Sequence, residues 1–245
     1  MITLLSDRLA PITSAIGFLQ LPLAEAAETL AGWRRELHGA ARTEEVFAAL
    51  PEMLARLEPL TLAVRPRELL VATERDDWTA YFDCGLHGGD PVSIVGHLTR
   101  TVRAAGVVVR SVPHTIGTIE QPGRHGAVQF ELFGPLPTSF LNYVRTVSVA
   151  HDGSKWRFDA TGTVQDFEDT ERYTARKIRD RFTSEQLAAY CAAMGLRPFD
   201  EGFYRPAGIL VESPVRLPPG AAELPLAETQ RQLGIRPGVA ADVPG

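Results

Sequence analysis

The strongest local prediction comes from residues 140–160, FLNYVRTVSVAHDGSKWRFDA. Apolar and polar side chains alternate from residue 140 to 149, as in a strand with one buried face. Asp152 and Gly153 separate this run from a second one at residues 155–160. Because Asp-Gly between two β-rich runs is typical of a hairpin turn, we predict two antiparallel strands joined at residues 151–154.

Other β-rich runs lie on the N-terminal side of this hairpin. A polar turn separates residues 69–73 from residues 78–82, which predicts a second hairpin. Residues 107–112 and 127–133 add two further strands. Together these runs predict a central antiparallel sheet of about six strands.

Helical periodicity flanks the strands on both sides. Apolar positions three and four residues apart predict helices at residues 23–37, 43–59, 94–105, 168–180 and 184–194. Pro51 predicts a break in the second helix, and Thr183 with Gln186 resembles a capping box before the last. Strands grouped in the middle, with helices packed before and after them, indicate an α+β fold and not alternating βαβ units.

Composition favours one globular domain. The chain has 245 residues, of which 44% are hydrophobic and 22% charged, enough for a sizeable core. Residues 214–245 are rich in Pro, Gly and Ala and show no periodicity. We therefore predict a single domain over residues 1–213 and a loosely attached tail over 214–245.

Net charge and cysteine content bear on the cellular compartment and on the class of partner. The formal net charge is −5, which argues against binding along a nucleic-acid backbone. Cys84 and Cys191 are too few and too far apart for a disulfide framework, so we expect buried, unlinked thiols. No basic segment precedes an unbroken apolar run, and no window is long enough to span a membrane. These features predict a cytoplasmic protein.

Three segments resemble a group of uncharacterised proteins from high-GC Gram-positive bacteria. They are residues 78–83 (WTAYFD), 140–143 (FLNY) and 196–204 (LRPFDEGFY). The likeness covers roughly residues 20–210 and is one of overall pattern. It implies a bacterial, intracellular, single-domain protein, and no catalytic residue is carried over.

A polar, glycine-rich loop follows the hairpin predicted at residues 69–82. Asp83, His87, Asp90 and His97 lie in or just after it and are the candidate ligand-binding residues. A carboxylate beside an imidazole raises the histidine pKa and makes an acid–base pair, provided that the side chains share a cavity. The alternative is structural, with Asp83 and Asp90 capping a turn and a helix. A Cys84 nucleophile would require a base within reach, and sequence proximity to His87 does not show one.

Metal binding is a further alternative. His87, His114 and His125 all fall in predicted loops, which could converge at one end of the sheet. However, no histidine pair has HxxxH or HExxH spacing, and no cysteine pair has CxxC spacing. The sequence therefore assigns no metal site and no cofactor.

A stripe of arginines is the candidate partner-binding surface. Arg172, Arg176 and Arg179 are spaced to share one face of the predicted helix at residues 168–180. Acidic residues interleave with them, so pairing within the helix is the competing interpretation.

No catalytic residues are assigned. The sequence favours a protein-recognition domain without catalysis, such as an immunity or inhibitor-like protein whose partner is another protein. The alternative is a small-ligand-binding protein or an enzyme that uses residues 83–97. A concave pocket around those residues would distinguish the two.

Overall fold

A large antiparallel sheet forms the centre of the fold. The computed structural model describes residues 1–62, 64–115, 117, 122–136, 138 and 142–236. The strands in these ranges are β1 Ala15–Leu19, β2 Arg42–Val46, β3 Leu60–Thr61, β4 Arg67–Thr73, β5 Thr79–Asp83, β6 Gly106–Val112, β7 Ala127–Phe133, β8 Tyr143–His151, β9 Trp156–Gly162, β10 Tyr204–Glu212 and β11 Glu223–Leu224. The α-helices are α1 Leu23–His38, α2 Leu50–Ala55, α3 Pro91–Val102, α4 Ser184–Ala193 and α5 Leu226–Gln232.

Nine strands build the main sheet, in the order β2-β10-β4-β5-β1-β6-β7-β8-β9, and every pairing is antiparallel. Strands β3 and β11 form a separate small pair. The predicted α+β class with an antiparallel sheet is confirmed. The predicted number of about six strands is too low, because β1, β2 and β10 were not recognised.

Helices cover both faces of the main sheet, so apolar side chains are buried on each side. Helices α1 and α3 pack on one face over an apolar cluster that includes Leu19, Leu70, Tyr81, Val108 and Phe133. Helices α2 and α4 pack on the other over a larger cluster that includes Phe18, Leu69, Phe82, Val107 and Phe130. Alternation along each strand distributes the apolar side chains between the two clusters.

The elements with strong local signals form as predicted. Strands β4 and β5 form one hairpin, and β8 and β9 form the other. In the turn between β8 and β9, Gly153 has φ +98°, a conformation that glycine adopts without strain. The Asp152 carboxylate stabilises this turn by accepting from the N–H groups of Ser154 and Lys155. Thr183 and Gln186 form the predicted capping box of α4.

Two predicted helices are wrong. Residues 42–46, at the start of the second one, form strand β2 on β10, and only residues 50–55 are helical. In place of the helix at residues 168–180 the chain forms two short 3-10 turns, Thr170–Thr174 and Ile178–Asp180. Arg172, Arg176 and Arg179 therefore do not share one helical stripe.

The C-terminal segment makes specific contacts with the rest of the chain. Strand β11 pairs with β3, and the Gln230 side chain donates to the carbonyl oxygens of Arg8 and Ala10. Ile235 is buried. The part of this segment up to residue 236 is thus held against the domain, which composition alone did not indicate.

Two further expectations concern cysteines and membranes. Cys84 and Cys191 are both unlinked and buried, as predicted. Burial raises the pKa of both thiols. Among the helices within the described ranges, none has the length and apolarity needed to cross a membrane.

Candidate metal centre and the adjoining cavity

Asp83 is buried beneath the glycine-rich loop and has a structural position. Its carboxylate accepts from the N–H groups of Gly85 (2.8 Å) and Asp90 (3.0 Å) and forms a 3.0 Å ion pair with Arg65. A Cβ atom on Gly89 would lie 2.9 Å from this carboxylate, so the loop needs a glycine there. Burial raises the pKa of Asp83, and Arg65 opposes that rise.

The other three predicted loop residues point to different surroundings. Asp90 is the residue preceding α3 and accepts from the Ser93 hydroxyl at 3.2 Å. His97 stacks on Trp33, with ring centroids 3.9 Å apart, and burial lowers its pKa. His87 lines a surface cavity. No hydrogen bond joins the side chains of any two of the four predicted residues in the described structure, so the predicted acid–base pair is not assembled.

Two of the three predicted arginines pair with neighbouring carboxylates. Arg172 pairs with Asp169 at 3.6 Å and Arg179 with Asp180 at 3.9 Å. Arg176 is exposed. Their role in partner binding stays a prediction.

Three histidines converge where three neighbouring strands end. His114 follows β6, His125 precedes β7, and His151 is the last residue of β8. Because β6, β7 and β8 are adjacent and antiparallel, these positions meet at one end of the sheet. The His151 N–H donates to the Gly126 carbonyl at 2.9 Å, which holds two of the segments together. We call His114, His125 and His151 the histidine cluster.

The nitrogen atoms of the histidine cluster lie close enough together to be compared with a metal site. One ring nitrogen from each residue lies within 4.8 Å of the other two. The Nδ1 atoms of His125 and His151 are 3.3 Å apart and form a hydrogen bond with each other. Two nitrogens bound to one tetrahedral zinc ion, each at about 2.0–2.1 Å, are separated by about 3.3–3.4 Å. Two of the three donors are thus already at the spacing that a single ion requires.

The surroundings of His114 favour the neutral, metal-binding form of its imidazole. The pKa of His114 is lowered first by burial and then by the positive charge of His151, His125 and Arg179. The Trp156 ring packs beside His114 and His151, with centroids 5.2 and 5.5 Å away. His125 is exposed, so the cluster opens to solvent on one side.

Two of the ring nitrogen atoms accept hydrogen bonds from backbone N–H groups. The N–H of Gly126 donates to His114 Nδ1, and the N–H of Gly153 donates to His151 Nδ1, each at 3.2 Å. Coordination by these rings would displace such bonds, each with a net value of about 1 kcal/mol. Structural zinc sites supply roughly 10 kcal/mol or more, so this loss does not prevent binding.

A cavity of about 320 Å³ adjoins the histidine cluster. His125 belongs to both, and His87 from the glycine-rich loop lies on the cavity wall. Arg110 from β6 and Arg124 also line it. The remaining lining residues are Pro11, Ser14, Val112, Pro122, Gly123, Ala127, Gln232, Leu233 and Ile235. No carboxylate side chain is among the described residues of this wall.

The sequence suggests His87, His114 and His125 as converging loop residues and places His151 in a hairpin turn, whereas the structure groups His151, not His87, with His114 and His125. Their separations along the chain match no local metal motif, because the ligands come from three segments. The missing information was the strand order. Once β6, β7 and β8 are known to be neighbours, the three positions fall at the same end of the sheet.

Comparisons of the chain with family models, curated proteins and solved structures found no match.

Proposed function

We propose that the protein binds a divalent transition-metal ion, with Zn²⁺ the best fit, through the histidine cluster. The observation that carries the proposal is the convergence of three ring nitrogens within 4.8 Å. Imidazole is a preferred ligand of zinc, copper and nickel. Three histidines leave one tetrahedral position for water or for a ligand, the arrangement found in open zinc sites.

The hydrogen-bond partners of the three histidine rings influence the expected metal affinity. Histidine ligands usually donate their other ring N–H to a carboxylate or a carbonyl oxygen, and losing such a partner weakens metal binding about 10–100-fold. Within the described residues, Asp152 is the nearest acidic group in sequence to His151, but its carboxylate is engaged by Ser154, Lys155 and Arg157. We therefore expect reversible binding, weaker than that of buried structural zinc sites.

The test is titration of the EDTA-treated chain with Zn²⁺ by calorimetry, and with Co²⁺ by visible absorption. We expect one site per chain and a d–d spectrum of tetrahedral intensity. Replacing His114, His125 or His151 with Ala should weaken binding by more than about tenfold, since each change removes a direct ligand. His38→Ala is the matched control, because His38 is an exposed histidine outside the cluster. Equal affinity in the wild type and in a triple Ala variant would disprove the proposal.

A second candidate function is the recognition of another protein, for which the edge of the sheet provides the supporting observation. In the described structure β2 pairs only with β10, so its outer edge is open. Phe47 directly follows β2 and is 74% exposed. An open edge strand beside an exposed aromatic side chain suits strand addition by a partner. This arrangement would suit the immunity or inhibitor-like role that the sequence favours.

The second candidate can be tested with one surface substitution. Phe47→Ser should abolish retention of a specific partner in affinity purification, whereas Leu136→Ser should not. Leu136 is 76% exposed and follows β7, which is several strands away from β2 in the sheet. It therefore controls for the loss of an exposed apolar side chain elsewhere. A partner retained equally by both variants would count against the β2 edge.

A further inference from the structure

Basic groups are concentrated in the cavity beside the histidine cluster. Arg110, Arg124, His87 and His125 line its wall, and no described lining residue is acidic. Arg124 is paired with Asp7, and both side chains are about nine-tenths buried. The charge of Arg124 is therefore offset inside the wall, whereas Arg110 forms no ion pair with any residue that the structure describes.

The surroundings of Arg110 distinguish it from a surface arginine. Its only hydrogen bond among the described residues is a long one, 3.4 Å, to the Gly89 carbonyl. It forms no ion pair with any described residue, although Glu131, Asp90 and Asp83 are near enough to act on it at longer range. Burial is the main influence on this guanidinium and lowers its pKa. A partly desolvated cation without a paired anion gains more from an incoming anion than a fully solvated one does.

We propose that this cavity binds a small ligand carrying an oxyanion, a carboxylate or a phosphate group, with that group on the Arg110 guanidinium. The planar donors of arginine match both kinds of oxyanion in a two-point contact. Ser14 and His87 are further polar side chains on the wall. A volume of about 320 Å³ lies at the lower end of small-molecule sites, which restricts the ligand to a compact metabolite.

A connection to the histidine cluster follows from His125, which lies in both features. A divalent ion on the cluster would add positive charge at the cavity wall and strengthen anion binding, and the anion would strengthen metal binding by the same factor. This coupling rests on the proposed metal function. Anion binding by Arg110 does not.

The experiment uses the full chain after EDTA treatment, with inorganic phosphate and acetate as probes. Binding is measured by calorimetry and by thermal shift, with chloride at matched ionic strength as the reference. We expect saturable binding of at least one oxyanion at one site per chain. The preferred probe identifies the class of anionic group.

Two variants separate binding from folding. Arg110→Gln should weaken binding at least about tenfold, since a charge-assisted bond is lost. Arg100→Gln, an exposed arginine near the end of α3, is the matched control and should bind as the wild type does. Ala127→Leu keeps Arg110 but fills part of the cavity, and it should also weaken binding. Circular dichroism tests whether each variant is folded.

The outcomes for the anion and for the metal are distinguishable. His114→Ala should weaken metal binding by more than about tenfold but leave oxyanion binding to the metal-free chain unchanged, because His114 is not among the described cavity residues. Oxyanion binding that survives both Arg110→Gln and Ala127→Leu, or that chloride reproduces, would overturn the cavity proposal. Absence of metal binding with intact oxyanion binding would overturn only the metal centre and the coupling.

Discussion

Arg34 on α1 and Glu68 on β4 form a buried, two-point ion pair between helix and sheet. Arg34 Nε and Nη2 donate to the two carboxylate oxygens of Glu68 at 2.6 and 2.7 Å. The Tyr81 hydroxyl, also buried, donates to the same carboxylate at 2.7 Å. Both charges are thus satisfied without water, and the pair fixes the position of α1 over the sheet.

The first prediction concerns this pair. Arg34→Met leaves a buried carboxylate without its counterion and should lower the free energy of unfolding by about 3–5 kcal/mol. Arg35→Ala is the control, because its ion pair with Glu28 is exposed and should contribute less than about 1 kcal/mol. Urea denaturation measures both. Similar losses in the two variants would show that Arg34 and Glu68 do not act as a buried pair.

The second prediction concerns Glu131 on β7. Burial raises its pKa from 4.5 to about 7, although a hydrogen bond from Gln129 and the charge of Arg110 oppose the rise. The native state therefore holds a proton that the unfolded state releases, and stability should fall as pH rises from about 4.5 to about 7. The full difference corresponds to at most about 3 kcal/mol.

Glu131→Gln tests this pH dependence. The variant keeps the shape of the side chain but cannot ionise, so its melting temperature should fall less than that of the wild type between about pH 5 and about pH 8. Thermal denaturation across this range measures the difference. Parallel curves for the two proteins would contradict a raised pKa at Glu131.

Local signals predicted the elements that depend on local chemistry. Asp152-Gly153 predicts the β8–β9 turn, and Thr183 with Gln186 predicts the start of α4, because turns and caps form between neighbouring residues. Strand β2 was mistaken for a helix because Thr43 with two following glutamates resembles a helix start. Its conformation is determined instead by pairing with β10, more than 160 residues away.

The candidate site was less predictable for the same reason. Asp83 and His87 are close in sequence, but one is buried under the loop and the other faces a cavity. His114, His125 and His151 are distant in sequence, and the order of β6, β7 and β8 brings them together. A sequence shows spacing along the chain but not which strands are neighbours.

The third prediction concerns the thiols. Cys84 and Cys191 are fully buried, and burial raises both pKa values, so the thiolate fraction at neutral pH is small. Modification of the native protein by a disulfide reagent should be slow and should become fast in urea. Rapid stoichiometric labelling of Cys84 alone in native buffer would instead indicate an activated nucleophile.

The fourth prediction concerns the C-terminal segment. Deleting residues 214–245 removes α5, the β3–β11 pairing and the bond from the Leu226 N–H to the Glu58 carboxylate. We expect a lower melting temperature, whereas the loosely attached tail expected from composition would leave it nearly unchanged. Gln230→Ala removes two hydrogen bonds to backbone carbonyls and should have a smaller effect, lowering the free energy of unfolding by about 1–2 kcal/mol. An unchanged melting temperature after the deletion would show that these contacts do not stabilise the domain.

The last prediction links the histidine cluster to stability. Consider an ion that binds only the folded state and whose free concentration is about one hundred times its dissociation constant. It adds about 2.7 kcal/mol to the free energy of unfolding. Zn²⁺ should therefore raise the melting temperature of the wild type, and EDTA should reverse the effect. His151→Ala should show a clearly smaller rise, while His38→Ala should match the wild type. Because protons compete with metal for imidazole, the stabilisation should decline as the pH is lowered. A zinc effect that stays constant down to about pH 5, or that is unchanged in His151→Ala, would show that the stabilising ion binds elsewhere.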